Sequence, residues 1–531
     1  MDASELSFSA SNLCSFFKLL HSNLLLLSTV ESSQLAPPFC IGVMITASHN
    51  PPHHNGIKLL LPDGHLLPPH VIKALNKCIA KPSETDPLCF IEALPAKFQP
   101  AMPTSASPPS PHKGILLLLG SDTRLSSPGL LDIFLSPNLD SVPKVNFGYI
   151  STPTFSTAVR DYSLSLLSAL LPPPSPTSLV SSSSSSYARH YESLLALLSP
   201  SSPAPALHVD CAMGAGALAL ADLIPLIPAA TIVPFNVPTL SSVPARSLLN
   251  TFCGSDYVLG SLSAPEVHEG PSPPRGSMAA SFDGDGDRII FHVNPIVGSL
   301  EVLTGDHISA LLASFLKPLL SELNPELTLG VVQTLYSNTA VANFLRGSLG
   351  VDPDTAATGV VNLHHAAEKY DLGVYYEANG HGTVLFSPRA RDEAKRSTTR
   401  AGRVLAAVLG LSHQMVGDAV PAALLVPLVL AHLKLPPSAW ARWWTDLPTY
   451  QSMVAVVDKS LIFTNANESK VVSPSAMQAD IDRARGACRC FVRASGTEDI
   501  VRVFVEGEGG ERVRGEVEGI VRSYCGARSK L

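Results

Sequence analysis

The stretch SFDGDGDRI, Ser281 to Ile289, alternates Asp283, Asp285 and Asp287 with glycines between two apolar runs. Three carboxylates so spaced can converge on one hard cation, and the glycines let the backbone curl around it. Crowded together without a cation, they would repel one another and raise their own pKa values. An EF-hand begins similarly, but Arg288 stands where its turn glycine belongs and Asn294 where its bidentate glutamate belongs, which excludes that reading. The pattern predicts an octahedral Mg2+ with one position open to a phosphate oxygen; a polar turn between two strands is the alternative.

Three other segments could carry chemistry. In MITASHNPPHHNGIK, Met44 to Lys58, His49 and His53 are four apart, but Pro51 and Pro52 forbid the helix that a zinc pair at this spacing needs. The segment reads instead as a loop leaving an apolar strand, Ile41 to Ile45, and presenting Ser48; His53 and His54 read as surface loop. RASGTEDIVR offers the guanidinium groups of Arg493 and Arg502, the hydroxyls of Ser495 and Thr497, and backbone N–H groups freed by Gly496, the equipment for a phosphate dianion. YEANGHGT supplies Glu377, Asn379 and His381 on a turn loosened by Gly380, donors and acceptors suited to sugar hydroxyls or to a plain polar hairpin. Arg124, in GSDTRLSS, reads as structural.

These loops need strands to hold them. Short Val/Ile/Leu runs alternate with helix-like stretches over most of the chain: GILLLLG, VNFGYIST, ALHVDC, ASFDGDGDRIIFHV, LGVVQTL and LGVYYEANG. That alternation predicts α/β units with active groups on the loops after strands. The last ninety or so residues differ, because YQSMVAVVD, CRCFVRAS and IVRVFVEG alternate around a helical SPSAMQADIDRARGA, the pattern of a small α+β domain. The Pro/Ser tract from Leu171 to Ser186 reads as a linker or surface insertion.

With 531 residues the chain is long enough for roughly three or four domains. Its apolar runs are broken by Pro, His or Lys before the roughly 20 residues a membrane span needs, and its N-terminal flank is wrong for a secretory signal. Nine cysteines without a paired framework fit reduced thiols in a cytoplasmic protein. The net charge of -7 argues against a nucleic-acid partner.

Taken together, TASHNPP, DGDGDR, EANGHG and RASGTED resemble, in order and separation, the phosphoserine, metal, sugar and phosphate loops of the α-D-phosphohexomutase superfamily. VDCAMGAGAL, LTGDHISALLASFL and TGVVNLHH add to the match, and Asn379, CGSDYV and WTDLP resemble the phosphoacetylglucosamine mutases within it. The resemblance implies three related α/β domains and a smaller C-terminal α+β domain around a central cleft. The expected bounds are 1–170, a linker at 171–189, then 190–298, 299–435 and 440–531. It implies that phospho-Ser48 carries the phosphoryl group and joins Asp283, Asp285 and Asp287 on Mg2+, with Arg288 assisting. Lys58 and His381 become candidates for proton transfer, and His49 steadies the serine loop. Glu377, Asn379 and Gly380 would meet the sugar, and Arg493, Ser495, Gly496, Thr497 and Arg502 the nonreacting phosphate. The implied reaction interconverts N-acetylglucosamine 6-phosphate and 1-phosphate through a bisphosphate, feeding UDP-N-acetylglucosamine synthesis. Phosphoglucomutase or phosphomannomutase activity, or an impaired sugar-phosphate-binding paralogue, are the alternatives. Departures from the pattern are the missing early Tyr-Gly-Thr-Ala-Gly-Phe-Arg turn, Val361 in place of a lysine, and the proline-rich insertions.

Overall fold

The computed structural model describes residues 6–7, 39–47, 55–68, 70–72, 115–135, 144–168, 175–199, 206–229, 231–293, 299–495 and 499–526. Ser48, His49, His53, His54, Asn294, Gly496 and Thr497 lie outside the described residues.

Three mixed sheets follow one plan. In each, a strand pairs in parallel on one side and forms an antiparallel hairpin on the other with the next strand of the chain. Phe39–Ile45 runs parallel to Ile115–Ser121 and antiparallel to Gly56–Leu60. Met278–Phe282 does the same between Leu207–Asp210 and Ile289–Val293, as does Leu372–Tyr376 between Leu329–Thr334 and Gly382–Phe386. Both strands of the second and third hairpins are wholly buried, which explains their continuous apolar runs. The connections within these three hairpins carry the serine, metal and sugar motifs in turn. A fourth, antiparallel sheet places Thr449–Ala455 and Arg489–Ala494 on either side of Ile500–Glu506, and its hairpin connection holds the phosphate motif. Every chemical motif therefore lies on a hairpin connection.

One large core unites residues 188 to 440, drawn from the helices Gly305–Leu323, Arg400–Leu411 and Ala419–Leu433 and from the second and third sheets. The C-terminal sheet has its own core, closed by the helices Ser475–Ala484 and Gly510–Cys525. Trp440 packs edge-on against Phe291 and His307 in the larger core, so the C-terminal unit begins after it and not at 440. No helix among the described residues is long and apolar enough to cross a membrane.

The Pro/Ser tract corrects the linker expectation. Pro176–Leu198 is a helix, and a boundary at 189 would cut through it. The Ser175 hydroxyl caps it by accepting from the Ser178 N–H at 3.2 Å, and Pro176 at the first turn has no N–H to waste. Its buried residues, Leu179, Ser184, Ala188, Tyr191, Leu194 and Leu198, keep helical spacing. Serine on the inner face disguises that spacing in the sequence, and the stripe packs on Arg400–Leu411 and Thr152–Ser168.

Candidate active site

The metal motif turns on itself. Asp283 Oδ1 accepts the backbone N–H groups of Gly286, Asp287 and Arg288, each at 3.1 Å, which curls the turn around one carboxylate. Behind it lies VDCAMGAGAL: Ala215 N–H donates to Gly284 O at 2.8 Å, and a Cβ on Gly214 would stand 2.4 Å from that same oxygen. Only glycine lets the two loops interlock so closely.

Oxygens of Asp283, Asp285 and Asp287 lie within 4.8 Å of one another, all three residues buried. Lys58 Nζ, itself buried, sits 2.7 Å from Asp285 Oδ2 and 2.6 Å from Asp287 Oδ2. Thr152 Oγ1 donates to Asp285 Oδ2 at 2.5 Å, and Arg288 Nε stands 3.7 Å from Asp283 Oδ2. Burial, and then the neighbouring charges of Asp287 and Asp285, push the Asp283 carboxyl well above the usual carboxylate range. Burial acts the same way on Asp285, but the Lys58 ammonium, its hydrogen bond and that of Thr152 outweigh it and hold the carboxyl below that range. Asp283 Oδ2 and Asp287 Oδ1 are buried without a hydrogen-bond partner among the described residues. Carboxyl oxygens left so in a buried cluster fit a hard divalent cation.

Lys58 comes from the serine-loop hairpin, where it pairs across to Met44. The two ends of that loop are tied by Thr46 N–H to Gly56 O at 3.0 Å. The Thr46 hydroxyl donates to Asp122 Oδ2 at 2.9 Å, and Asp122 also accepts from Arg124 Nε at 2.9 Å and from the Ser127 hydroxyl at 2.8 Å. Arg124 is fully buried in this contact.

The sugar motif docks on the metal hairpin. Gly380 O accepts from Ile289 N–H at 3.3 Å, and a Cβ on Gly380, whose φ is +84°, would stand 1.8 Å from Ile289 O. His381 is wholly buried, its Nε2 3.6 Å from Asp287 Oδ2 and its ring against Gly417. The half-buried Asn379 accepts from His381 N–H at 3.0 Å and donates to Glu377 Oε2 at 3.3 Å, while Glu377 Oε1 accepts from Gly359 N–H at 3.1 Å.

On the C-terminal sheet Arg493 and Arg502 are direct cross-strand partners, and their Nε atoms are buried without hydrogen-bond partners among the described residues. Like charges so placed repel, and an anion between them removes the penalty. Ser495 N–H closes the hairpin on Ile500 O at 2.9 Å.

Sequence reading thus named the carboxylates, Lys58, the sugar turn and the arginines, and the structure brings Lys58, Arg288 and His381 to the aspartates. It missed Thr152 and Gly417, and gave no role to Gly214 or Asp122 within the motifs that contain them. Of these only the glycine-rich VDCAMGAGAL carried a readable signal.

The fold is that of an α-D-phosphohexomutase. Residues 26–86 match the phosphoglucomutase/phosphomannomutase alpha/beta/alpha domain I family, residues 304–435 phosphoacetylglucosamine mutase AMG1 domain III, and residues 455–523 the phosphoglucomutase/phosphomannomutase C-terminal domain. The phosphoacetylglucosamine mutase of Sus scrofa is 34% identical over 92% of this chain and 87% of its own length. Aspergillus fumigatus N-acetylphosphoglucosamine mutase, solved in complex with GlcNAc-6P and magnesium, superposes with a TM-score of 0.80 at 30% identity, covering 99% of this chain and 94% of that one. An N-acetylglucosamine-phosphate mutase of the alpha-D-phosphohexomutase superfamily, solved in its substrate complex, gives 0.76 at 30% identity, covering 97% and 92%. The chain belongs to the phosphoacetylglucosamine mutase family.

Proposed function

We propose that this chain interconverts N-acetylglucosamine 6-phosphate and N-acetylglucosamine 1-phosphate, with Ser48 as the phosphoryl carrier. The observation that carries this reading is the reach of Lys58 from the serine-loop hairpin to Asp285 and Asp287, at 2.7 and 2.6 Å. It joins a carrier loop on one sheet to a carboxylate cluster on another.

Phospho-Ser48 gives its phosphoryl group to O1: the bond from Oγ to phosphorus breaks, the bond from O1 to phosphorus forms, and the proton lost from O1 is matched by one arriving at Oγ. The bisphosphate turns over, and the second half runs in reverse at O6, restoring phospho-Ser48. Arg493, Ser495, Gly496, Thr497 and Arg502 anchor whichever phosphate is not reacting, so one site accepts both orientations. Asp283, Asp285, Asp287 and the phosphate on Ser48 would hold Mg2+, whose charge offsets that of the phosphoryl group. Lys58 delivers the proton to Oγ and takes it back, with Arg288 adding positive charge and His49 steadying the loop. His381, with Nε2 3.6 Å from Asp287 Oδ2, acts on that carboxylate as a positioning group. Glu377, Asn379 and Gly380 form the sugar turn. Buried free thiols, Cys40, Cys211 and Cys253 among them, support a cytoplasmic setting.

The test compares N-acetylglucosamine 6-phosphate with glucose 6-phosphate and mannose 6-phosphate in the wild type and in Asn379→Ser. The wild type turns over the acetamido sugar best, and the variant loses about tenfold on it and less on glucose 6-phosphate, the worth of one polar contact. Preference for glucose or mannose 6-phosphate in the wild type contradicts the reading.

A further inference from the structure

Glu468 belongs to none of the motifs above, yet it joins two of them. It stands in the turn between the short strands Phe463–Thr464 and Val471–Ser473 of the C-terminal unit, with its side chain one-fifth exposed. Its φ of +64° is unusual for a residue with a side chain, and the turn is clasped by Asn465, whose carbonyl accepts from Glu468 N–H at 2.9 Å. Glu468 Oε2 accepts from both the backbone N–H and the hydroxyl of Thr358, at 3.0 and 2.8 Å. Its other oxygen lies 3.7 Å from Arg493 Nη1, close enough for attraction and too far for a hydrogen bond.

A backbone N–H, a hydroxyl and a guanidinium form a donor set that suits an anion. The next N–H along, that of Gly359, is taken by Glu377 of the sugar turn at 3.1 Å. Two carboxylates, Glu377 of the sugar turn and Glu468 of the C-terminal unit, thus hold successive N–H groups of a single turn. Arg493 is meanwhile underused: its Nε is buried without a hydrogen-bond partner, and its guanidinium lies 6.0 Å from the Tyr336 ring centre.

We propose that Glu468 is an internal competitor for Arg493, exchanged for the sugar phosphate on binding, while its two bonds to Thr358 keep the C-terminal unit docked beside the sugar turn. This rests on the reading of Arg493 and Arg502 as the phosphate anchor. A phosphate oxygen can make the direct hydrogen bonds to Arg493 that the carboxylate does not, so the exchange favours the ligand. Glu468 acts through Arg493 and the 358–359 turn and is therefore a positioning residue.

Glu468→Gln keeps an acceptor for Thr358 and removes the charge. Calorimetric titration of the full chain with N-acetylglucosamine 6-phosphate should show about two- to fivefold tighter binding in this variant, the range of a partly exposed ion pair. KM should fall with kcat little changed. In an Arg493→Met background the same substitution should have no effect, since the two residues share one interaction. Unchanged or weaker binding in Glu468→Gln, or tightening that persists without Arg493, overturns the proposal. Failure of the wild type to bind the sugar phosphate would overturn the functional reading and this proposal with it, whereas binding that ignores Glu468 overturns this proposal alone.

Discussion

The metal hairpin and the phosphate hairpin share a construction and differ in how their charges are kept. In the first, three carboxylates are buried, Asp283 is wrapped by backbone N–H groups, Asp285 and Asp287 are met by Lys58, Asp285 also by Thr152, and the turn interlocks with Gly214 from behind. In the second, two arginines face each other across strands with buried Nε atoms that no described residue bonds. The first hairpin ties its charges into the protein and leaves single oxygens for a cation, whereas the second leaves its guanidinium groups largely for a ligand. Substitutions in the metal region should therefore cost stability as well as activity, and those in the phosphate region should cost affinity alone.

The largest effect is expected at Lys58. Lys58→Met leaves Asp285 and Asp287 buried without their ammonium, which should destabilise the fold by about 3–5 kcal/mol in excess EDTA, read by urea unfolding. Added Mg2+ should recover part of that loss by binding the same carboxylates. Equal stability of variant and wild type without metal would mean that the ion pairs are not structural.

Gly380→Ala should follow at about 2–4 kcal/mol, from a left-handed φ and a Cβ forced onto Ile289 O. Because that contact carries the sugar turn against the metal hairpin, Mg2+ affinity should fall too. Unaltered Mg2+ titration in the folded variant would separate the two loops.

Arg502→Met sharpens the contrast. Sugar phosphate should bind about 10- to 100-fold more weakly, the value of charge-assisted hydrogen bonds, while the melting temperature holds or rises as repulsion from Arg493 is relieved. A clear fall in stability would place Arg502 in the same structural class as Lys58.

The chemistry of both hairpins was legible because it is concentrated: alternating Asp and Gly, or two arginines around a small-residue turn, need no tertiary knowledge to read. The strands beside these motifs were legible as apolar runs, which burial on both faces requires, whereas strand order and hairpin pairing were not. What supports the site was much less legible. Thr152, Asp122 and Gly417 act through contacts between residues far apart in the chain, and no local pattern announces them. The helix Pro176–Leu198 was hidden for another reason, since serine at inner positions lowers hydrophobicity without disturbing the spacing on which packing depends. His381 was a candidate for proton transfer by resemblance, and its contact with Asp287, invisible in the sequence, argues for positioning.

The central claim is that Ser48 carries the phosphoryl group to and from the hydroxyls of the sugar phosphate. It is tested most directly by following conversion of N-acetylglucosamine 6-phosphate to the 1-phosphate, with Mg2+ present, by Ser48→Ala. The account predicts that turnover disappears while calorimetry still detects sugar-phosphate binding through Arg493 and Arg502. Turnover at a rate near that of the wild type would contradict it.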